Sequence, residues 1–397
     1  MTDKLKEIII SVTNRCNLRC RMCQIPQMPN NEEMRTEQLK ELIKDSAKLY
    51  PESIVFSGGE PLLREDIFEL ITLANQCKIN TCLTSNGTLL NDDVAKKLAS
   101  CGIGVVNISI EGPEDIHDSL RGKGSFAKAI NALECLSRYK IETTIATIVC
   151  RQNYKFLPYV MDLTHQFGAT TVKFQPFNEL FLAKKEERTD FFLPRRSFKE
   201  LKSNIEKVIK LSEGYKIAIN PHDYLYAISA YLCGFYKGHY RNDCLAIRRS
   251  CPISPEGNVY LCWVLSDKRL GNVTKNELSK IWNSDEHNRL RQKVAEKGCS
   301  GCLMSCYDYN FGKYAASQPI YYKVKKMSEL KFYKRKYYQY YQYLKYIFGK
   351  VLNRIVNLNI FRKVDNKHKD IQLLEEIKIA RDMLLNRLRA LERNEKS

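Results

Sequence analysis

Residues 6–26 read "KEIIISVTNRCNLRCRMCQIP": a β-branched run followed at once by Cys16, Cys20 and Cys23. The apolar run is too short for a helix, and its Ile and Val content predicts a strand. The cysteines fall in the loop that leaves this strand's C-terminal end. In a long chain without an export signal, clustered thiols point to metal rather than to disulfides. A closed zinc site takes four ligands, yet the next cysteine is Cys77 and no histidine precedes His117. Three thiolates on a four-iron cluster would leave one iron open to an outside ligand.

Outward from this strand, short β-branched runs alternate with amphipathic segments of helical length. "ESIVFSGG", "INTCLTSNG", "GVVNISIEG", "IETTIATIVC" and "TTVKFQPF" read as strands; "TEQLKELIKDSAKLY", "EDIFELITLANQC", "NDDVAKKLASC" and "SFAKAINALECLSRY" read as helices, with another near 155–167. Six strand–helix units in this order predict an α/β fold with a parallel sheet and covering helices. Right-handed crossovers curl such a sheet one way, so the expected form is a partial (β/α)6 TIM-like barrel. Ligands of these folds collect at the C-terminal strand ends. The cysteine loop, "SGGEP", "TSNG" and "SIEGP" all fall there. The alternation stops after residue 215, which sets expected domains at 1–215, 216–319 (cysteine-rich) and 320–397 (basic and aromatic).

The 397 residues are 44% apolar, enough for a sizeable core. No leading signal pattern and no run of eighteen apolar residues occurs, so the expected location is cytoplasmic. The net charge of +19 is unevenly spread: residues 321–363 hold twelve Lys/Arg and one acid, Glu329, a local 12 − 1 = +11.

The three-cysteine spacing after a first strand resembles the radical S-adenosylmethionine (radical SAM) superfamily, and "SGGEPLL" at 57–63 resembles that family's glycine–glycine–glutamate–proline loop. The resemblance implies a 4Fe-4S cluster on Cys16, Cys20 and Cys23, with the amino and carboxylate groups of SAM on the open iron. Reduction would cleave SAM to a 5′-deoxyadenosyl radical that abstracts a substrate hydrogen. By the same resemblance Gly58, Gly59, Glu60 and Pro61 form a SAM-facing loop, Glu60 meeting the amino group. Ser85 and Asn86 in "TSNG", Ser109 facing the carboxylate or ribose, and Arg121 as a carboxylate partner complete the SAM site. Met22 stands in a slot often aromatic in the family and gives an apolar contact instead. Glu111 stands where many relatives carry Asp.

Cys244, Cys251, Cys262, Cys299, Cys302 and Cys306 form a second group. "PEGNVYLC" reads as a hairpin turn and strand. With "LGNVTKNELSKIWNSDEHNRLR" and "CSGC" it resembles the SPASM extension of radical SAM enzymes. That resemblance implies one auxiliary 4Fe-4S cluster on Cys244, Cys262, Cys299 and Cys302, a zinc ribbon being the alternative for the same thiolates. Cys251 and Cys306 are alternates or bystanders; Cys77, Cys82, Cys101, Cys135, Cys150 and Cys233 are expected to be small core residues. Relatives that mature sulfatases place an acid where this chain has Trp263.

In 321–363, Leu344, Phe348, Val351, Ile355 and Leu358 recur at helical spacing among Tyr and Lys/Arg. An interfacial helix on an anionic membrane is the first reading, ahead of docking on the barrel and of nucleic-acid binding. Leu373, Ile377, Leu384, Leu388 and Leu391 suggest a last helix over 370–393. The expected substrate is a peptide or protein, or a membrane-associated lipid or glycan precursor, with a reducing flavodoxin or ferredoxin as electron donor. The competing class is a non-catalytic iron–sulfur or zinc adaptor that recruits partners through the tail.

Overall fold

The structure is a computed structural model; it describes residues 5–28, 32–182, 187–235, 246–297 and 302–303. Two compact units, Met1–Val324 and Lys325–Ser397, divide the chain. The interfacial helix expected in 321–363 and the last helix expected over 370–393 lie outside the described residues.

Six parallel strands follow the predicted runs closely: β1 (Glu7–Thr13), β2 (Ser53–Gly58), β3 (Asn80–Ser85), β4 (Val105–Ser109), β5 (Glu142–Val149) and β6 (Thr171–Pro176), with the short β7 (Ala218–Ile219) beyond. Their connections carry α1 (Thr36–Ser46), α2 (Ile67–Gln76), α3 (Asp92–Ser100), α4 (Glu114–Arg121), α5 (Ser125–Arg138) and α6 (Leu157–Gln166); α7 (Arg188–Phe191) and α8 (Phe198–Tyr215) precede β7, and α9 (His222–Leu232) follows it. Strand β1 pairs with β2 in parallel, and each later strand joins the one before it. This is the mostly parallel sheet with covering helices that the alternation predicts.

The strands' period of two separates core from cavity. Ile8, Ile10, Ile54, Phe56, Val172 and Phe174 are buried in the main core. Ile9, Ser11, Val55, Ser57, Lys173 and Gln175, one residue out of step, line a cavity of about 850 Å³. The interior face is therefore much more polar than the helix-covered face.

The chain then returns to its beginning. After α10 (Ala246–Arg249), β8 (Ser250–Ile253) pairs in parallel with β1, Glu7 opposite Ser250 and Ile10 opposite Ile253. The strands β9 (Asn258–Tyr260) and β10 (Arg269–Asn272) add antiparallel to it. The predicted "PEGN" turn joins β8 to β9, with Gly257 at φ +82° and its N–H donating to the Ser254 carbonyl. The helices α11 (Leu278–Trp282) and α12 (Asp285–Lys297) follow. The Asp45 carboxylate on α1 accepts from both the N–H and the hydroxyl of Ser279, tying α11 down.

Candidate active site

The cysteine loop is braced by the "SGGEP" loop, backbone to backbone. The Gly59 N–H donates to the Thr13 carbonyl at 2.7 Å and the Glu60 N–H to the Arg15 carbonyl at 2.9 Å. A Cβ on Gly58 (φ +123°) would lie 2.3 Å from the Thr13 oxygen, and one on Gly59 2.2 Å from the Arg15 oxygen. Both glycines are thus demanded by the approach of the chain's own backbone, in addition to any ligand. Pro61 is buried and opens a short 3-10 turn.

Glu60 is fully buried and joins this loop to "TSNG". Its carboxylate accepts from the Ser85 hydroxyl at 2.9 Å, the Asn86 N–H at 2.8 Å and the Leu62 N–H at 3.2 Å. Burial pushes its pKa up, and the three donors oppose that rise. Asn86 carries the link back: its side-chain amide donates to Asn17 Oδ1 and lies 3.8 Å from Cys16 Sγ. Cysteine loop, glycine loop and "TSNG" form one hydrogen-bonded unit.

Arg121, at the end of α4, has a carboxylate partner within the chain. Its guanidinium donates twice to Glu111 Oε1, at 2.8 and 2.6 Å, and lies 3.9 Å from Cys20 Sγ. The other Glu111 oxygen accepts from the Ile148 N–H on β5. Burial disfavours the Arg121 charge, but Glu111 and then Cys20 outweigh it and hold the guanidinium protonated. The motif reading left Glu111 without a role; the structure shows it fixing Arg121 beside the cysteine loop.

Cys16, Cys20 and Cys23 line the cavity together with Met22, Gly58, Gly59, Ser85, Asn86, Ser109 and Arg121; Glu60 and Pro61 sit behind that wall. Burial raises all three thiols above the ordinary value, and the Arg121 cation opposes that rise at Cys20 and Cys23. Among the described residues no three Cys, His, Asp or Glu side chains converge as ligands of one ion. Thiolates on a single zinc would sit about 3.8 Å apart, given its tetrahedral 2.3 Å bonds. A four-iron cluster instead takes each thiolate on a separate iron, and three thiols that line one cavity suit that demand.

Of the second cysteine group, Cys262 and Cys302 are described; Cys244, Cys299 and Cys306 lie outside the described residues. Cys262 Sγ accepts from the Val264 N–H at 3.3 Å, and Cys302 packs against the cluster of Ile9 and Ala246, as Trp263 and Val264 do. Cys251 is fully buried on β8, facing the core. Cys135, Cys150 and Cys233 are core residues as expected, whereas Cys82 lines the cavity. Tyr260 and Trp263 also reach the cavity wall, a role the sequence did not reveal.

The sequence matches the model of the Radical SAM superfamily over residues 10–162 and that of an iron–sulfur cluster-binding domain, SPASM, over residues 244–303. An AdoMet-dependent heme synthase from Methanosarcina barkeri is 26% identical over 353 residues, 80% of this chain and 97% of that protein. The mycofactocin maturase MftC of Mycolicibacterium smegmatis is 28% identical over 303 residues, 74% of each chain. The solved structure of native anSMEcpe with bound AdoMet and Kp18Cys peptide shares the fold, with a TM-score of 0.59 at 21% identity over 73% of this chain and 83% of that one.

Proposed function

We propose that this chain, which belongs to the radical SAM superfamily and carries a SPASM domain, abstracts hydrogen from a substrate held in the barrel cavity, its cluster seated on Cys16, Cys20 and Cys23. The observation that carries this reading is the single cavity onto which those thiols, the glycine loop, Ser85, Asn86 and Ser109 all open. When bound, the cluster supplies the electron that splits SAM into methionine and a 5′-deoxyadenosyl radical.

The chain's own residues do the positioning. Backbone bonds from Gly59 and Glu60 fix the entrance to the cysteine loop, and the Glu111–Arg121 pair fixes its far side at Cys20. Arg121 brings a permanent cation next to the thiolates, favouring their ionised form. Ser109, nearly buried on the wall, offers a hydroxyl toward the SAM carboxylate or ribose. Apolar wall residues such as Met22, Ile148 and Phe177 limit water around a reactive carbon radical.

Cys262 and Cys302, with Cys244 and Cys299, are the proposed ligands of one auxiliary 4Fe-4S cluster. A reducing flavodoxin or ferredoxin is the proposed electron donor. A peptide or protein substrate is supported by the relative named as a mycofactocin maturase; a small tetrapyrrole is supported by the one named as a heme synthase. The lipid or glycan reading rested on 321–363, outside the described residues; no described helix is long and apolar enough to cross a membrane.

Anaerobic reconstitution, dithionite reduction and addition of SAM test the reading: 5′-deoxyadenosine should form, and its yield should drop to background in Cys20→Ala. Reconstituted, reduced protein that leaves SAM intact would instead favour the adaptor class.

A further inference from the structure

Cys82 was expected to be a small core residue, yet it lines the cavity on the interior face of β3. It pairs with Val55 on β2 and Val105 on β4, and Val55 pairs in turn with Ile9 on β1. The side chain is half-buried. The Asn107 amide donates to its Sγ at 3.1 Å, and among the described residues nothing accepts from its S–H. Burial pushes this thiol up to about 11, so it carries its hydrogen at neutral pH.

Asn107 gives an independent sign of a ligand at this level. It is 8% exposed and lines the same cavity. Its Nδ2 serves Cys82 and also Thr84 Oγ1, at 3.2 Å, while its buried Oδ1 has no partner among the described residues. A buried acceptor without a donor is costly unless a ligand brings the N–H or O–H.

Strand geometry sets the scale. Ser85 and Asn86, on the side of the cavity read as the SAM site, follow Cys82 by three and four residues. At about 3.3 Å per residue, the Cys82 and Ser85 backbones lie roughly 10 Å apart. That gap takes one layer of substrate, its reacting carbon about 3–3.5 Å from the group on either side. The thiol then faces the substrate from the side opposite SAM.

We propose that Cys82 is a catalytic hydrogen-atom donor to the carbon radical that abstraction leaves on the substrate. This rests on the hydrogen-abstraction reading. An S–H bond is weaker than an aliphatic C–H, so transfer from thiol to carbon radical runs downhill. The S–H breaks, a C–H forms on the substrate, and the unpaired electron stays on sulfur. One electron from the reducing flavodoxin or ferredoxin and one proton from solvent restore the thiol. The substrate leaves with as many hydrogens as it brought, one of them from solvent, so the reaction class is an inversion or isomerisation at carbon. Asn107 Oδ1 favours a carbon that lies next to an N–H or O–H.

SAM alone is the probe. Full-length, cluster-reconstituted protein is exchanged into D2O, reduced with dithionite and given SAM, and the 5′-deoxyadenosine is analysed by mass spectrometry. With no substrate between them, the 5′-deoxyadenosyl radical is itself the carbon radical that meets Cys82. Most 5′-deoxyadenosine from the wild type should carry one solvent deuterium. Cys82→Ala and Cys82→Ser should each lower the labelled fraction by at least about tenfold, because the radical must then break a stronger bond. The fraction does not depend on how much product a variant makes, so partial loss of folding does not imitate the effect. Should neither variant fold, a nitrone spin trap in the wild type decides: its adduct should map to the peptide that contains Cys82. Unlabelled 5′-deoxyadenosine from the wild type, equal labelling in wild type and variants, or a trap adduct absent from that peptide would overturn the donor role. Failure of the wild type to form 5′-deoxyadenosine would instead overturn the hydrogen-abstraction reading, so the two failures are separable.

Discussion

Replacing Gly59 by alanine puts a methyl carbon 2.2 Å from the Arg15 carbonyl oxygen, 2.7 Å from its carbon and 2.8 Å from the Asn14 oxygen. All three contacts are backbone, so no side chain can swing aside. Relief to about 3.4 Å, an ordinary contact distance, needs a movement of about 1.2 Å in the residue that precedes Cys16. Overpacking of this kind costs about 1–3 kcal/mol. The same movement strains the bonds from Gly59 to Thr13 and from Glu60 to Arg15, at about 1 kcal/mol each. The total, about 3–5 kcal/mol, falls on the loop that presents Cys16. Reconstituted Gly59→Ala should therefore lose roughly one cluster's share of iron, or fail to change its reduced-cluster EPR signal when SAM is added. The auxiliary cluster serves as internal control. Full iron content together with an unaltered SAM-dependent EPR change would refute the claim that this glycine is fixed by backbone contact.

Arg121→Gln strands the buried Glu111 carboxylate and should cost about 3–5 kcal/mol, whereas Arg121→Gln combined with Glu111→Gln should recover a good part of it; a urea-denaturation double-mutant cycle with no coupling would deny the pair its role. His117 is fully buried, and burial pushes its pKa down to about 3; His287 is held down to about 3 in the same way. Between about 6.5 and 3 the unfolded chain binds these protons and the native chain does not, so stability is complete above the unfolded value and falls with pH at up to about 1.4 kcal/mol per unit for each histidine. Denaturation at pH 7.0 and 5.5 should show that loss, and His117→Gln should reduce it. Removing Cys16, Cys20 and Cys23 together should abolish 5′-deoxyadenosine formation yet leave the iron of the auxiliary cluster; Cys262→Ala should do the reverse to the iron count.

What the sequence revealed was local. Each of the six main strands is a β-branched run next to an amphipathic helix, and the four loops that mattered all left strands at the same end, so the site could be placed before any contact was known. Pairings between distant segments were not legible. Nothing in "SCPI" announces that β8 lies against β1, because a buried run carries no address. Glu111 and Arg121 sit ten residues apart on different elements, and only the turn into α4 brings them together. Lys173 could have been noticed, since a lysine between Val172 and Phe174 in a strand must face the interior or solvent; the period of two does not say which. The motif marked Glu60 as a ligand contact, and it could not show the three donors from the chain that its carboxylate also accepts.

The pairing of β8 with β1 has a consequence for biosynthesis. The first strand made must wait for residue 250 before that edge is covered, a gap of 250 − 13 = 237 residues. At translation speeds of about 5–20 residues per second, the nascent chain carries an open strand edge for roughly 12–50 seconds. During that interval the edge is a template for pairing with other chains. Ribosome-associated chaperones would protect it, and slowing translation between residues 13 and 250 should raise aggregation more than slowing it after β8 is made.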